Sequence, residues 1–417
     1  MNTSPNRFLA EANDLFSYSR DIRRDLHQNP ELGFQEVRTA GIVAEELRKL
    51  GLDVTIEVGG TGVVALLGGD RPGPVVLLRF DMDALPVQEE TGAEYASKNP
   101  GVMHACGHDG HVAIGLTVAR ILHAHRSEIA GTVKFVFQPA EEGLGGAERM
   151  IADGVLRSPE PDYCLAAHLW NERPLGWLGV TAGPVMAGAD FFNVLISGKG
   201  GHGGMPETSH DPVLAAAVLI NAFQGIVSRN VPPMETAVLS VTRIHGGETY
   251  NVIPSHVEMA GTIRTYNTTT RERIVARMQQ QVELICQAME CNGDLTIQSL
   301  TPAVINDPWV TEHIQNLVPK ILPSAQLARH HVRHPGRGAG AHEHRRHRLP
   351  RSRARRRHRR PARLARRQRG FQPGHVGVHS IGPTQGRLGG VHADRHGVAD
   401  AGDDVGQPHH RRQPGEG

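Results

Sequence analysis

The charge and composition of the chain change abruptly near residue 328, and this break limits how much of the chain can fold around a core. Residues 328–417 contain 21 Arg, no Lys, 13 of the 25 His and 6 acidic residues, so they carry a net charge of +15, whereas residues 1–327 carry −13. Only 11 of the last 90 residues are Leu, Ile, Val or Phe, which is too few to bury a core. The sequence predicts a disordered basic tail over 328–417.

Two explanations of this tail remain open. One is a basic arm that binds nucleic acid or another polyanion non-specifically through phosphate contacts. The other is a shifted reading frame, because GC-rich coding DNA read out of frame encodes mostly Arg, His, Pro, Gly and Ala. The tail has 13 His and no Lys, which is unusual for a selected basic arm. The composition therefore favours the frameshift.

The composition of the whole chain also narrows the class of protein. Hydrophobic residues make up 39% and aromatic residues 4%, beside 48 glycines, as is typical of a glycine-punctuated α/β enzyme. No run approaches the eighteen or so apolar residues of a membrane span, and the N-terminus lacks the pattern of a secretory signal. Four cysteines are too few for a disulfide framework in 417 residues. We expect a cytoplasmic protein with no membrane segment.

Strand and helix patterns alternate through the first half of the chain. Residues 37–50 and 112–125 have helical spacing, and short apolar runs at 63–67, 75–80 and 132–137 read as strands, as does 163–167. This alternation predicts a mainly parallel sheet that helices cover on both faces. In such sheets ligands bind beyond the carboxyl ends of the strands.

Polar side chains stand at these strand ends. Asp81 and Asp83 follow one strand, the pair Glu141-Glu142 follows another, and His168 follows a third; Cys106 and His108 lie between the first two strands. Cys, His and carboxylate side chains at one edge of a sheet are the donor set of a transition-metal site. The sequence therefore predicts a metal centre there.

Each of these residues also has an ordinary structural explanation. The two aspartates could be loop acids or helix caps, the cysteine a small buried residue, the glutamates a solvated helix start, and the histidine a core residue. Their joint occurrence at the ends of strands of one sheet favours the metal site. Adjacent glutamate side chains diverge, so one can bind metal while the other takes a proton from an attacking water. Hydrolysis of an amide or ester is the chemistry this pattern indicates.

Several strings then resemble one known family. They are LLRFDMDALPVQEETG, MHACGHDGHVA, FVFQPAEEGLGGAERMI, GGHGGMPETSHDP and YNVIPSHVEMAGTIRT. Together they are similar to the aminoacylase/carboxypeptidase-G metallopeptidase family, in the branch of hippurate hydrolases, N-acyl-amino-acid amidohydrolases and plant auxin-conjugate hydrolases. The resemblance covers residues 21–306. It implies a metallopeptidase catalytic domain and a small-molecule N-acyl amino acid substrate.

The resemblance also implies roles for individual residues. It implies two divalent ions, Mn or Zn, with the ligands Cys106, His108, Glu142 and His168. Glu141 matches the general base, and Asp83 matches an acidic position that orients a ligand.

An inserted α+β lid domain is implied between two catalytic segments, with boundaries at 1–185, 186–296 and 297–327. Strand patterns lie at 189–197, 236–245 and 256–265, and helical patterns at 211–228 and 269–290. The resemblance implies that this domain forms a homodimer. His202 would steady the oxyanion in the partner's active site, while Asn251 and Arg264 would bind the substrate carboxylate. Without the resemblance, these three residues would read as a glycine-rich turn and a strand-end charge.

The chain departs from the family after about residue 327, where an acidic motif and a last metal-ligand histidine are expected. Histidines of the tail, including His379 and His392, stand in no recognisable version of that motif, so the second metal position is predicted to be incomplete. Three hypotheses follow, in order of preference. The chain is a metal-dependent amidohydrolase, a catalytically impaired member of the family, or a polyanion-binding protein acting through its tail.

Overall fold

A computed structural model of the chain describes residues 6–329 and the backbone of residues 376–381. The helices of this part are α1 Asn6–Asp14, α2 Phe16–Gln28, α3 Val37–Lys49, α4 His108–Ala124, α5 Gly146–Ala152, α6 Pro212–Gly225, α7 Thr268–Ala288 and α8 Pro308–Ile321. The strands are β1 Asp53–Val58, β2 Gly62–Gly68, β3 Arg71–Asp81, β4 Ala130–Gln138, β5 Tyr163–Leu169, β6 Trp177–Gly179, β7 Gly183–Met186, β8 Gly188–Ser197, β9 Gly201–His202, β10 Ala237–His245, β11 Val252–Ile253, β12 His256–Thr265, β13 Asn292–Thr301, β14 Val304–Asn306, β15 Gln326–Ala328 and β16 Val376–Ile381.

The first sheet has eight strands in the order β1-β2-β4-β3-β5-β16-β6-β15. Its central strands β4, β3 and β5 pair in parallel, as the sequence predicts. Strands β1 and β2 form an antiparallel hairpin that extends the sheet beside β4, and β16 pairs antiparallel with β5. The sheet is therefore mixed, with its parallel part confined to the centre and to the edge that contains β6 and β15.

Helices α3 and α4 cover one face of this sheet. Phe135 and Phe137 of β4 are fully buried and pack with Leu47 of α3 and Leu116 of α4 in one apolar cluster. A second, smaller cluster contains Met150 of α5 together with Val64 of β2 and Val136 of β4. Nearly every residue of β4 is buried, as is typical of a strand covered on both faces. This packing holds the carboxyl ends of β3, β4 and β5 side by side.

The second sheet is antiparallel, with the order β10-β12-β8-β13. Residues from α6 and α7, among them Phe223 and Met278, pack against Phe192 and Ile263 of its strands in a separate core. The strands and helices predicted between residues 189 and 290 are thereby confirmed. The fourth strand, β13, was not predicted; it pairs with β8 as far as Thr301, so the sheet extends past the predicted domain boundary at residue 296.

Helix α6 continues into a π-helical turn, Ile226–Asn230. In the described part of the chain, this combined stretch, Pro212–Asn230, is long and apolar enough to cross a bilayer, with a mean hydropathy of 1.4. One such helix is weak evidence of a membrane span. Ala215, Leu219 and Phe223 on one side of it are fully buried against the second sheet. The stretch therefore packs as a core helix does.

The predicted disordered tail is described only in part. Residue 328 ends strand β15, and residues 376–381 form strand β16 between β5 and β6. For these residues the prediction of disorder is wrong, because their backbones pair with strands of the first sheet. Apart from Arg329, which follows β15, the remaining residues of the predicted tail lie outside the described residues.

Candidate metal centre

Four segments bring polar side chains to the same edge of the first sheet. Strand β3 ends at Asp81, strand β4 ends two residues before a positive-φ turn into Glu141, and strand β5 carries His168 next to its last residue. Helix α4 begins at His108 beside them. Because β4, β3 and β5 run parallel, their carboxyl ends lie at one edge. The backbone therefore brings the ends of these three strands together, as the sequence predicts.

The side chains at this edge form overlapping groups of potential metal ligands. In the described part of the chain, three groups have ligand atoms within 4.8 Å of one another: Cys106 with His108 and His168, Asp81 with His108 and His111, and His108 with Glu141 and Glu142. His108 belongs to all three groups. Cys106 Sγ lies 3.4 Å from His168 Nε2. All four predicted ligands therefore share one cluster.

Asp83 orients the imidazole of His108. Its Nδ1 lies 2.8 Å from the backbone carbonyl oxygen of Asp83 and 3.1 Å from Oδ1 of the same residue, so Nδ1 carries the proton and donates it. Its Nε2 is buried without a hydrogen-bond partner among the described residues. That atom lies 3.9 Å from Glu142 Oε1 and 4.0 Å from Glu141 Oε2. A divalent cation fits this donor set, because such imidazoles donate their other N–H to a carboxylate or carbonyl.

Asp83 also positions the backbone of the second glutamate. Its Oδ2 accepts a hydrogen bond of 2.9 Å from Glu142 N–H, while its Oδ1 faces His108. One buried carboxylate thus joins two predicted ligands. This geometry agrees with an orienting role for Asp83 that does not require it to touch metal.

Burial keeps several groups of the cluster uncharged in the metal-free protein. It raises the pKa of Glu141 to about 7 and that of Cys106 to about 11, and it lowers the pKa of His168 to about 3. Burial also opposes the charge of His108, but Asp81 and Asp83 outweigh it and raise the pKa of that imidazole. A cation binding here has to displace the protons of the thiol and the imidazolium.

A second chain of contacts links Asp81, which the sequence places at the predicted centre, to residues whose contacts with it were not predicted. Asp81 Oδ2 lies 2.7 Å from Arg79 Nη1, and Asp81 Oδ1 accepts from His111 Nδ1. On the other side of its ring, His111 Nε2 accepts a 2.8 Å hydrogen bond from Leu169 N–H. These contacts tie β3, α4 and β5 together next to His168. In the sequence, His111 stands one helical turn after His108, and this spacing indicates that both side chains lie on the same face of α4.

The residues predicted to bind substrate lie apart from this cluster. His202 on β9 pairs with Val252 on β11, and Gly203 N–H donates a 2.8 Å hydrogen bond to the carbonyl of Asn251. His202 therefore lies in a two-stranded sheet, and Asn251, which directly precedes β11, is its exposed neighbour. Arg264 lies on β12 of the second sheet and is 9% exposed. Within the described residues, no hydrogen bond or ion pair connects these three side chains to the metal-ligand cluster.

Comparison with known proteins agrees with the geometry of the cluster. The model of peptidase family M20/M25/M40 matches residues 77–343. An N-acyl-L-amino acid amidohydrolase of Geobacillus stearothermophilus is 46% identical over 267 residues, which are 64% of this chain and 72% of that protein. IAA-amino acid hydrolase ILR1-like 4 of Arabidopsis thaliana is 40% identical over 319 residues, which are 75% of this chain and 72% of that protein.

Solved structures show the same relationship. The Bacillus subtilis protein YXEP, a dinuclear metal-binding peptidase of the M20 family, aligns with a TM-score of 0.67 and 34% identity. The alignment covers 76% of this chain and 82% of that one. Residues 77–343, which match the family model, include Asp81, the pair Glu141-Glu142 and His168. The chain is a member of peptidase family M20/M25/M40 and a hydrolase of amide bonds.

Proposed function

We propose that this chain hydrolyses the amide bond of N-acyl amino acids, hippurate-like compounds among them. The observation that carries the proposal is the cluster in which the ligand atoms of Cys106, His108 and His168 approach one another and His108 also approaches Glu141 and Glu142. Relatives about 40% identical include an N-acetylcysteine deacetylase of Bacillus subtilis, at 41% identity over 288 residues. Such substrates share an acylated nitrogen next to a carboxylate.

Four side chains would hold the divalent ions, Mn or Zn: Cys106, His108, Glu142 and His168. When bound, such ions lower the pKa of coordinated water and polarise a carbonyl oxygen. Asp83 holds His108 and the backbone of Glu142 in place. The ligand set has one thiolate and two imidazoles, a mixture that suits Zn and several other divalent ions.

Glu141 would move the proton during hydrolysis. Its carboxylate takes a proton from the attacking water and delivers it to the leaving nitrogen, while a substrate carboxylate is bound by Asn251 and Arg264. Arg264 supports this assignment because its side chain is buried and its Nη1 has no hydrogen-bond partner among the described residues. His202 would steady the oxyanion from the partner subunit of a homodimer.

The test uses the full chain loaded with Mn²⁺ or Zn²⁺ and a panel of N-acyl amino acids. We expect hydrolysis by the wild type and a fall in kcat of at least about 100-fold in Glu141→Gln, because general base catalysis contributes about 10²–10⁴. Glu94→Gln, on an exposed side chain, serves as the control. Equal activity of Glu141→Gln and wild type would contradict the assignment of the base.

A second candidate is a catalytically impaired family member whose second metal position is incomplete. It is favoured by the ligand groups of the described residues, which all share His108, and by the absence of a recognisable last ligand motif in the sequence after residue 327. Metal content per chain separates the two candidates. About two ions per chain indicate a complete centre, and about one ion with little hydrolysis indicates the impaired member.

The homodimer is tested separately through the second sheet. Sedimentation equilibrium should give twice the chain mass of 45.3 kDa if the second sheet dimerises. A monomer that still hydrolyses the substrate would contradict the role of His202 in a partner's site.

Non-specific binding of nucleic acid through the basic tail would show a steep dependence on salt and would be lost on truncation after Leu327.

A further inference from the structure

The loop that carries both glutamates has a strained backbone. We call residues 139–146 the glutamate loop. Ala140, directly before Glu141, has φ of +49° and is fully buried. A non-glycine residue adopts this left-handed region only at a cost of about 1–3 kcal/mol, unless its surroundings stabilise it. The direction in which Glu141 leaves the backbone therefore depends on what holds Ala140.

Glu36, which is distant from Ala140 in the sequence, holds its backbone amide. Its Oε1 accepts a 2.8 Å hydrogen bond from Ala140 N–H, and its other oxygen accepts from the hydroxyl of Thr61. Glu36 is 0% exposed and is 104 residues from Ala140 in the sequence. Charged residues are almost never fully buried without such partners.

The position of Glu36 in its own helix does not explain this burial. Glu36 occupies the N-cap of α3 but makes no side-chain cap hydrogen bond. The N–H groups of Arg38 and Thr39 in the first turn are instead bound by Glu31. The carboxylate of Glu36 is therefore free of the usual task at a helix start and is directed at the glutamate loop.

Three further contacts fix the loop around Glu141. Asp83 accepts from Glu142 N–H at 2.9 Å, and Gly146 N–H donates to Ala140 O at 3.1 Å. A Cβ atom at Gly33 would lie 3.1 Å from Cα of Ala140, so the backbone before α3 also packs closely on the loop. Glu141 consequently stands between two anchored amides, one bound by Glu36 and the other by Asp83.

We propose that Glu36 is a positioning residue, whose hydrogen bond to Ala140 N–H holds the glutamate loop in the conformation that directs Glu141 and Glu142 into the metal centre. The effect on kcat that we expect rests on the proposed function, the hydrolysis of N-acyl amino acids. It assigns Glu36 no contact with substrate or metal. Loss of the acceptor should misplace the base and one ligand without altering the binding of the substrate carboxylate.

The kinetic test compares two substitutions of equal length in the full, metal-loaded chain. Glu36→Met removes the acceptor but keeps the buried volume, whereas Glu36→Gln keeps an acceptor oxygen for Ala140 N–H. We expect kcat to fall about 10- to 100-fold in Glu36→Met, because small misplacements of catalytic groups have effects of that size. KM should stay within about twofold, and Glu36→Gln should restore most of kcat.

A structural control is available on the same helix. Val43→Ala removes a fully buried side chain of α3 and destabilises the domain without touching the glutamate loop, so its kcat should stay near that of the wild type. Failure of Glu36→Gln to restore kcat, or an equal fall in Val43→Ala, would overturn the proposal. If Glu36→Met does not fold, Glu36→Asp replaces it, because its acceptor is withdrawn by about 1.5 Å.

Hydrogen exchange provides a readout that does not depend on activity. In the metal-free full chain, the backbone amides of residues 140–146 should exchange at least about tenfold faster in Glu36→Met than in Glu36→Gln or Val43→Ala, because loss of the anchor lowers the free energy of opening. Unchanged exchange would contradict the positioning role. If the wild type hydrolyses no N-acyl amino acid, the proposed function fails, while this comparison still decides whether Glu36 holds the loop.

Discussion

The buried carboxyl of Glu141 should make the metal-free protein less stable at high pH. Its side chain is 15% exposed, and burial raises its pKa from the ordinary value of 4.5 to about 7. One pKa unit corresponds to about 1.4 kcal/mol, so complete ionisation in the folded state costs up to about 3 kcal/mol. We predict that Glu141→Gln stabilises the metal-free protein by about 1–3 kcal/mol at pH 8.

The sign follows from the two protonation states. Below pH 4.5 both folded and unfolded chains are protonated at this residue, and its charge has no effect on stability. Between pH 4.5 and about 7 the unfolded chain ionises first, so the folded state loses stability as pH rises, and the loss is complete above about 7. Glutamine carries no charge and avoids this loss.

Urea denaturation in EDTA at pH 5 and pH 8 measures the effect. The free energy of unfolding of Glu141→Gln should exceed that of the wild type at pH 8 and approach it at pH 5. Glu94→Gln, at an exposed position, should show no such difference. A Glu141→Gln protein that is no more stable than wild type at pH 8 would refute the reasoning that burial opposes this charge.

Three further predictions concern the metal ligands and the second core. Because the pKa of the Cys106 thiol is raised to about 11 by burial, metal affinity measured by chelator competition should rise at least about tenfold per pH unit from pH 6 to 8, and less steeply in Cys106→Ser. Asp83→Asn should weaken metal binding about 10- to 100-fold with unchanged circular dichroism, because it disturbs His108 and Glu142. Phe192→Ala should lower the free energy of unfolding of the second sheet by about 3–5 kcal/mol in urea, because the ring is fully buried; a loss under 1 kcal/mol would contradict that burial.

Local sequence patterns were sufficient to predict the sheet edge of the metal centre. The apolar runs before Asp81, Gln138 and His168 end within two residues of the ends of β3, β4 and β5, and parallel pairing is enough to bring the residues at these ends together. Predicted helices at 37–50 and 112–125 correspond to α3 and α4, which pack on the same sheet.

Long-range contacts could not be predicted in the same way. Glu36 reads in the sequence as an acid at a helix start, and only the folded chain places its carboxylate on Ala140. Asp81 is predicted at the edge of the centre, but only the folded chain shows that Arg79 and His111 are its partners. No periodicity encodes which buried carboxylate meets which amide, because that choice depends on the packing of separate elements.

The second sheet and the tail show where composition alone misleads. Strand β13 alternates exposed and partly buried residues from Asn292, but the predicted domain boundary at residue 296 divides it. Residues 376–381 lie in an Arg-rich and Gly-rich region, yet their backbone enters the first sheet beside β5. Pairing with a sheet that is already formed can order a short segment that could not bury a core by itself.

X-ray absorption at the zinc edge of the zinc-loaded full chain tests the central claim most directly. The account predicts a sulfur scatterer at about 2.3 Å together with nitrogen and oxygen scatterers at about 2.0–2.2 Å. The sulfur signal should disappear in Cys106→Ser and persist in Glu141→Gln. Zinc bound by nitrogen and oxygen alone in the wild type would contradict a centre built from Cys106, His108, Glu142 and His168.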